Sequence, residues 1–371
     1  MRFANPSMFT KLPVVLLYGM DEACLPFEAA ATTTLVQAAH EALRSRGWHV
    51  EDVMLSHDLV SPLKPYDPHE WVVLNLCEGS PTQDFYYARV ARMLSARNYI
   101  YTGSDYNCLD RTQYKAEMKQ CMEEHHVPTP AWAVYNAGDE VDFGVYPAIV
   151  KPASEHCSLG ITRDSVVMNT AEARAQVART IREYNGPALV EEFLDSPEYN
   201  VTVWGSDGSS SGWHNFSLGG ADEVGVVGIS TMTYEAFNDI HDRLCTFQAK
   251  WEPDSTAYRL TPAICPAPVF PELKAELERV AIAAYRAAGC RDYGRVDLRL
   301  RNGQPMALDI NANCDVSPDG GFANAARARG LTYAEAMEQI VVFAMGRYVA
   351  AYPPVLDRLM ALPVQIPAVA R

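Results

Sequence analysis

The sequence predicts an α/β protein with α+β lobes, and three observations carry that reading. Apolar strand-like runs alternate with helical stretches over residues 13 to 105, the pattern of a parallel sheet covered on both faces. A smaller antiparallel α+β unit follows. From Arg295 to Asn311, charged and apolar residues alternate with period two on both sides of an Asn302-Gly303 turn signal, which predicts a half-buried β-hairpin.

Composition bounds the function. The chain has 371 residues, 48% hydrophobic, enough to bury a large core and to divide into more than one domain. A net charge of −15 argues against nucleic acid and anionic membranes as partners, and it requires any polyphosphate site to gather its lysines locally. The nine cysteines are scattered without a Cys-x-x-Cys pair, so neither a zinc site nor a disulfide framework is expected. The apolar run Leu12 to Leu17 is too short to span a bilayer and lacks a cleavage site, which predicts a cytoplasmic protein.

Within the first unit, residues 1–105, strands are expected at Pro13–Tyr18, His49–Met54 and Trp71–Leu76, with helices at Phe27–Arg46 and Thr82–Ala96. The loop Cys77-Glu78-Gly79-Ser80 follows a strand end, where ligands of parallel sheets bind, so Glu78 is either a substrate contact or a first-turn helix acid. In the second unit, 106–195, a helix is expected over Arg111–Glu124, and a strand Ala148–Pro152 leads into the small-residue loop up to Gly160. Thr170 is expected to cap a helix to Tyr184, and strands Ala188–Leu194 and Tyr199–Trp204 close the unit.

The third unit, 196–350, opens with a polar turn, Gly205 to Gly212, and an aperiodic segment, Leu218 to Ile264, part of which reads as a mobile loop over the site. An amphipathic helix Glu272–Ala288 stops at Gly289, and Thr332 with Glu335 forms a capping box for a helix to Met345. The proline-bearing tail, 351–371, reads as an extended arm.

In the hairpin a two-residue Asn-Gly loop would set Asp297 opposite Leu308 and put the acids on different faces. A three-residue connection, Asn302 to Gln304, pairs Asp297 with Asp309 instead, with Cα atoms about 4.5 to 5.5 Å apart. Together with Asn311 they would form an all-oxygen site for a hard divalent ion, typically Mg²⁺ on nucleotide phosphates, with Arg295 on the same face. A hairpin with a wet, charged outer face fits the same residues. The lysines favour the first reading: Lys151 closes an apolar strand before a small-residue loop, while Lys115 at a helix start and Lys250 in the irregular segment offer two more ammonium groups.

The order of these pieces resembles the ATP-grasp superfamily and, within it, D-alanine:D-alanine ligase and its relatives. The matching stretches are Leu74-Asn75-Leu76 through Glu78-Gly79; Tyr101 to Ser104; Lys115 and Lys119 ahead of Val127-Pro128-Thr129-Pro130; Val150-Lys151-Pro152 with Ser158-Leu159-Gly160; Val190 to Leu194 with Glu198; Ala249-Lys250-Trp251; Arg295-Val296-Asp297; Asp309-Ile310-Asn311; and Gly330 to Tyr333. The resemblance implies an ATP-grasp fold with an N-terminal parallel-sheet domain. It implies ATP held between two lobes by Lys115 and Lys151, with Lys250 on the γ-phosphate. Glu191 would meet the adenine amino group, the backbone of Glu192, Phe193 and Leu194 the ring edge, and Glu198 the ribose. Asp297, Asp309 and Asn311 would hold two Mg²⁺ ions, or Mn²⁺ in their place. The implied chemistry is carboxylate attack on the γ-phosphate, then displacement of phosphate from the acyl phosphate by an amine. Arg295, Lys250 and Ser158 are the catalytic candidates; dimers are common in the family.

Departures from the family concern the amino-acid pockets. Cys157 stands for a serine, Trp251 for a tyrosine, and Gly320, next to Gly321, for a serine that binds the second substrate's carboxylate; Cys314-Asp315-Val316-Ser317 replaces Pro-Gly-Met-Thr, and Asp309 replaces glutamate. The expected activity is therefore amide formation between amino acids or amino-acid-like acids other than D-alanine. A true D-alanine:D-alanine ligase, a phosphotransferase and a catalytically silent nucleotide binder are the competing readings.

Overall fold

The computed structural model describes residues 11–20, 24, 26–78, 86–155, 158–205, 224–252 and 254–351. The first sheet is built from β1 (Val14–Gly19), β2 (Val50–Leu55), β3 (Val72–Asn75) and β4 (Ile100–Tyr101) in the order β2-β1-β3-β4, every pair parallel. Helices α1 (Pro26–Ser45) and α2 (Tyr86–Ala96) make the crossovers. Val14 to Leu17 are fully buried because both faces of the sheet are covered, the condition that makes a parallel strand apolar throughout. At the carboxyl end of β3, the Asn75 N–H donates to Thr102 Oγ1 (3.0 Å) and Asn75 Oδ1 accepts from the Cys77 N–H (3.2 Å), tying two neighbouring strand ends together.

The single helix expected over Arg111–Glu124 is two, α3 (Tyr106–Gln113) and α4 (Lys115–Glu124), separated by an extended Tyr114 (φ −94, ψ 109). The physical reason is local. The Lys115 N–H donates to Ala153 O (3.1 Å), outside any helix, so the helical ladder cannot run through it. Asp105 caps α3 by accepting from the Cys108 N–H (3.0 Å).

A second sheet, antiparallel, has the order β5-β8-β6-β7: β5 (Trp132–Tyr135), β6 (Ala148–Pro152), β7 (Val166–Val167) and β8 (Ala188–Glu192). Helix α5 (Thr170–Tyr184) covers it, with Ala173 and Val177 buried against Val150 and Val190. Its cap is Asn169, in extended conformation and accepting from the Glu172 N–H (3.1 Å), and Thr170, expected to be the cap, already lies inside the helix.

The third sheet holds β9 (Glu198–Gly205), β10 (Gly225–Met232), β11 (Asp292–Arg301) and β12 (Gln304–Asn311) in the antiparallel order β10-β9-β11-β12. The strand expected to close the small unit, Tyr199–Trp204, therefore belongs to this larger sheet, paired with β11 from Asp292 to Leu298. Strand β10 lies inside the segment read as aperiodic. Its glycines and hydroxyls hide the alternation, and Gly228 is small because a Cβ there would come within 3.1 Å of Ala325. Two short helices, α6 (Phe247–Trp251) and α7 (Thr256–Leu260), follow.

Helix α8 (Pro271–Ala288) buries Leu277, Val280, Ala281 and Ala284 completely and stops at Gly289 (φ 77), as the spacing predicts. After β12 come α9 (Gly321–Ala328), which the sequence reading missed, and α10 (Tyr333–Ala351), which runs beyond the expected Met345. The Thr332–Glu335 capping box forms: Thr332 N–H donates to Glu335 Oε2 (2.9 Å) and Glu335 N–H to Thr332 Oγ1 (3.2 Å).

Helix α10 packs back onto α1, where buried Glu338 accepts from Arg46 Nε (2.7 Å) and Trp48 Nε1 (2.8 Å). A helix late in the described residues thus seals the sheet formed early in them. Among the described residues no helix is long and apolar enough to cross a membrane, and the described cysteines are free. The Gly79-Ser80 loop, the start of the helix expected from Thr82, the Gly205–Gly212 turn beyond 205 and the tail beyond 351 lie outside the described residues.

Candidate active site

The hairpin reaches the expected pairing by a different route. Asn302 (φ 51) and Gly303 (φ 81) are both left-handed, the requirement of a two-residue type I′ turn, and Arg301 pairs with Gln304, so the three-residue connection is not formed. Instead, Leu298 pairs with Ala307 and the next pair is Asp297 with Asp309, leaving Leu308 as a bulge. The bulge is held from outside the sheet. The Ala307 N–H donates to Pro128 O (2.8 Å), and Ala307 O accepts from Thr129 Oγ1 (2.8 Å) and Lys119 Nζ (3.2 Å). Asp297 and Asp309 consequently face each other across the strands, with Arg295 opposite Asn311 two residues along.

Asp297 is 8% exposed and accepts four hydrogen bonds: Arg295 Nε (2.6 Å) and Asn200 Nδ2 (2.9 Å) on Oδ1, Arg295 Nη2 (2.9 Å) and Asn311 Nδ2 (3.0 Å) on Oδ2. These use all the lone-pair positions of a carboxylate. The donor set, two carboxylates and amide oxygens, fits a hard divalent cation, which would take over the positions held by the guanidinium and by the Asn311 amide; a half-turn of that amide offers its oxygen.

Four lysines come together from β6, α4 and α6. Lys151, on β6, donates to Glu191 Oε2 (2.7 Å), and Lys119, on α4, pairs with Glu191 Oε1. Burial would lower the Lys151 pKa, but Glu191, Asp309 and Glu198 outweigh it and hold it above its usual value. Glu191 is 1% exposed; burial would raise its carboxyl, yet Lys119 and Lys151 pull it below the ordinary carboxylate range. Lys115 is 6% exposed and bonded to Glu155 O, and burial pushes its ammonium down to about 8 against the attraction of Asp309. Lys250, on α6, is raised: burial opposes its charge, while Cys245, Asp297 and Glu198 favour it. The acids of the ribbon and the lysines thus share one electrostatic neighbourhood.

Glu198, on β9, lies at the edge of this group, with Tyr234 Oη at 3.4 Å and Arg299 Nε at 3.5 Å. Arg299, 4% exposed, also donates to Leu194 O (3.0 Å) and stacks over Phe193 and Tyr234 at 5.2 and 4.6 Å from their ring centres, so it fixes the segment after β8. The Glu192 carboxylate pairs with Arg301, its N–H donates to Ala131 O (2.8 Å), and the Phe193 N–H donates to Pro147 O (2.9 Å). Neither N–H is available to a purine edge, so contact from these two residues to the ring would have to use their carbonyl groups.

The D-ala D-ala ligase C-terminus family profile matches residues 135–342, more than half of the chain. The chain belongs to that family. Among the family's relatives it is 29% identical over 321 residues to the uncharacterized protein y4sG of Sinorhizobium fredii, covering 86% of this chain and 87% of that protein. It is 29% identical over 309 residues to the D-alanine–D-alanine ligase of Ralstonia nicotianae, covering 82% and 83%. The solved D-alanine–D-alanine ligase of Bacillus anthracis complexed with ATP superposes with a TM-score of 0.68 at 16% identity, covering 92% of this chain and all of that one, which establishes the shared ATP-grasp fold.

The remaining family positions are divided. Ser158 (φ 62) stands next to the undescribed pair 156–157, so Cys157 lies outside the described residues, as does the Trp251 side chain. Gly320 is the residue before α9, and a Cβ there would meet Asp315 Oδ2 at 2.7 Å; at Gly321 a Cβ would meet nothing. Glu78 reaches solvent, but the protein crowding it and the Asp315 charge push its carboxyl up to about 7. Sequence spacing assigns no role to Asn200, Arg299, Asp315 or Lys119. The signal for Asn200 was present, two residues from Glu198 on one strand face.

Proposed function

We propose that the protein is an ATP-dependent, ADP-forming ligase that joins the carboxylate of one amino acid or amino-acid-like acid to the amine of another through an acyl phosphate. The observation that carries this reading is the cross-strand pair Asp297–Asp309, set by the Leu308 bulge within the field of Lys115, Lys151 and Lys250. A triphosphate loses its hydration on entering a closed site, and ammonium groups replace it. In this reading Lys115 and Lys151 hold the phosphates, Lys250 meets the γ-phosphate, and Ser158 lies in the loop that closes over them. Glu191 takes the adenine amino group, Leu194 the ring edge through its backbone and Glu198 the ribose. Asp297, Asp309 and Asn311 would hold two Mg²⁺ ions, which supply charge neutralisation on the polyphosphate. Arg295 stabilises the oxyanion that forms when the amine attacks.

Three working units follow the three sheets: a substrate-side unit up to residue 105, a small lobe to about 195 and a large lobe beyond it. Cys157, Trp251, Gly320 and Gly321 belong with Glu78 to rebuilt amino-acid pockets, which favours substrates other than D-alanine. The decisive assay follows ADP release with Mg²⁺ over a panel of amino acids, singly and in pairs. Turnover that needs both an acid and an amine, with an amide product, supports the ligase. ADP release with D-alanine alone identifies the narrower activity carried in the names of its relatives, a stable phosphorylated product without an amine identifies a phosphotransferase, and AMP with pyrophosphate rules out the acyl phosphate.

A further inference from the structure

Lys119 has none of its side chain exposed, and its ammonium has three partners drawn from three elements. It pairs with the Glu191 carboxylate at the end of β8, donates to Thr129 Oγ1 (2.7 Å), and donates to Ala307 O (3.2 Å) beside the Leu308 bulge of β12. Thr129 Oγ1 donates in turn to the same Ala307 carbonyl (2.8 Å), and the neighbouring Pro128 O accepts the Ala307 N–H (2.8 Å). Both backbone polar groups of Ala307 are therefore bonded to the 128–129 loop and Lys119. A bulge disrupts the ladder locally, and these bonds satisfy backbone groups beside it that the ladder does not. A buried ammonium is expensive to maintain, and a neutral side chain of similar length would fill the space at lower cost. What the charge adds is a connection between a carboxylate in the second sheet and the point in the third sheet where the register shifts.

We propose that Lys119 is a positioning residue that couples the nucleotide-base end of the site, at Glu191, to the metal-binding end, at Asp309, by holding the bulge that turns Asp309 toward Asp297. The inference rests on the ATP-dependent reading above. Lys119 touches neither phosphate nor metal in this role. It acts through the two acids.

Equilibrium ATP binding, measured by calorimetry with saturating Mg²⁺ and again with EDTA, gives the coupling as a ratio of two dissociation constants. In the wild type Mg²⁺ is expected to tighten ATP binding. In Lys119→Met that ratio is expected to fall about tenfold, the scale of one lost charge-assisted hydrogen bond. Thr129→Val, which keeps the lysine and removes one bond to Ala307 O, is expected to lower the ratio by a smaller factor in the same direction, and it serves as the test should Lys119→Met not fold. A lysine that only stabilises the fold would lower the melting temperature and leave the ratio at its wild-type value in both variants; that result overturns the proposal. A wild type that binds no ATP with or without Mg²⁺ overturns the ATP-dependent reading and with it this inference, an outcome distinct from a ratio that the variants leave unchanged, which overturns the inference alone.

Discussion

The guanidinium of Arg295 closes on the Asp297 carboxylate through two parallel bonds, Nε to Oδ1 at 2.6 Å and Nη2 to Oδ2 at 2.9 Å. Successive residues on one strand face, they neutralise each other at the position that the proposed function gives to a divalent cation. Under the proposed function, a metal ion and the arginine would compete for the same oxygens. Replacing Arg295 by alanine is expected to lower the Mg²⁺ concentration needed for half-maximal ATP binding while reducing turnover by about 10²–10³, the usual loss on removing one oxyanion donor. Magnesium titrations of binding and of initial ADP release check both halves. Near-normal turnover would take Arg295 out of the chemistry.

Glu191 is flanked by two buried lysines, and deleting it strands both. Glu191→Ala is expected to destabilise the protein by about 3–5 kcal/mol, the cost typical of breaking a buried ion pair from one side. Urea unfolding followed by fluorescence measures it; a loss below about 1 kcal/mol would mean that water or relaxation resolvates the ammonium groups.

Gly103 (φ +86) runs so close to Asn313 that a Cβ would stand 2.6 Å from its Oδ1, which accepts from the Ser104 N–H (2.9 Å). Gly103→Ala is expected to cost about 1–3 kcal/mol from the backbone conformation, plus the collision. Adding Asn313→Ala should recover the collision share alone, so a double-mutant cycle returns a non-zero coupling. Full additivity would show that the contact is relaxed without strain.

Glu78 sets a pH dependence. Its carboxyl is raised from 4.5 to about 7, first by the protein crowding it and then by Asp315, and its exposure lets solvent screen part of that shift. The folded protein thus holds a proton that the unfolded chain releases, and this group's contribution to stability falls as pH rises through that window. If the ionised form receives a substrate ammonium, kcat/KM rises as pH approaches 7 and levels off above it. Glu78→Gln should flatten the rising limb; an unchanged limb would assign it to another group.

Much of the architecture is legible in the chain because periodicity and caps are local. The parallel sheet, α8 with its Gly289 stop and the Thr332–Glu335 box all follow from short patterns. The rest depends on contacts that sequence spacing does not reveal. The break at Tyr114 comes from a hydrogen bond to Ala153, the burial of α1 depends on a helix three hundred residues downstream, and β10 lacks apolar alternation because α9 lies across it. In the site, the acids and lysines stand together as expected, but the hairpin reached the right pairing through a two-residue turn and a bulge. The bulge is invisible to a pattern of alternation, since its determinants, Pro128, Thr129 and Lys119, lie in another part of the chain.

That bulge makes the site vulnerable to a kind of change that substitution tables overlook. If the bonds to Ala307 were lost and the bulge ironed out, the two-residue turn would set Asp297 opposite Leu308, leaving every acid, amide and lysine in the chain while turning Asp309 to the opposite side of the ribbon. Among natural relatives, a one-residue gap at this point would set the two acids face to face by the regular ladder alone, with no bulge for the 128–129 loop to hold.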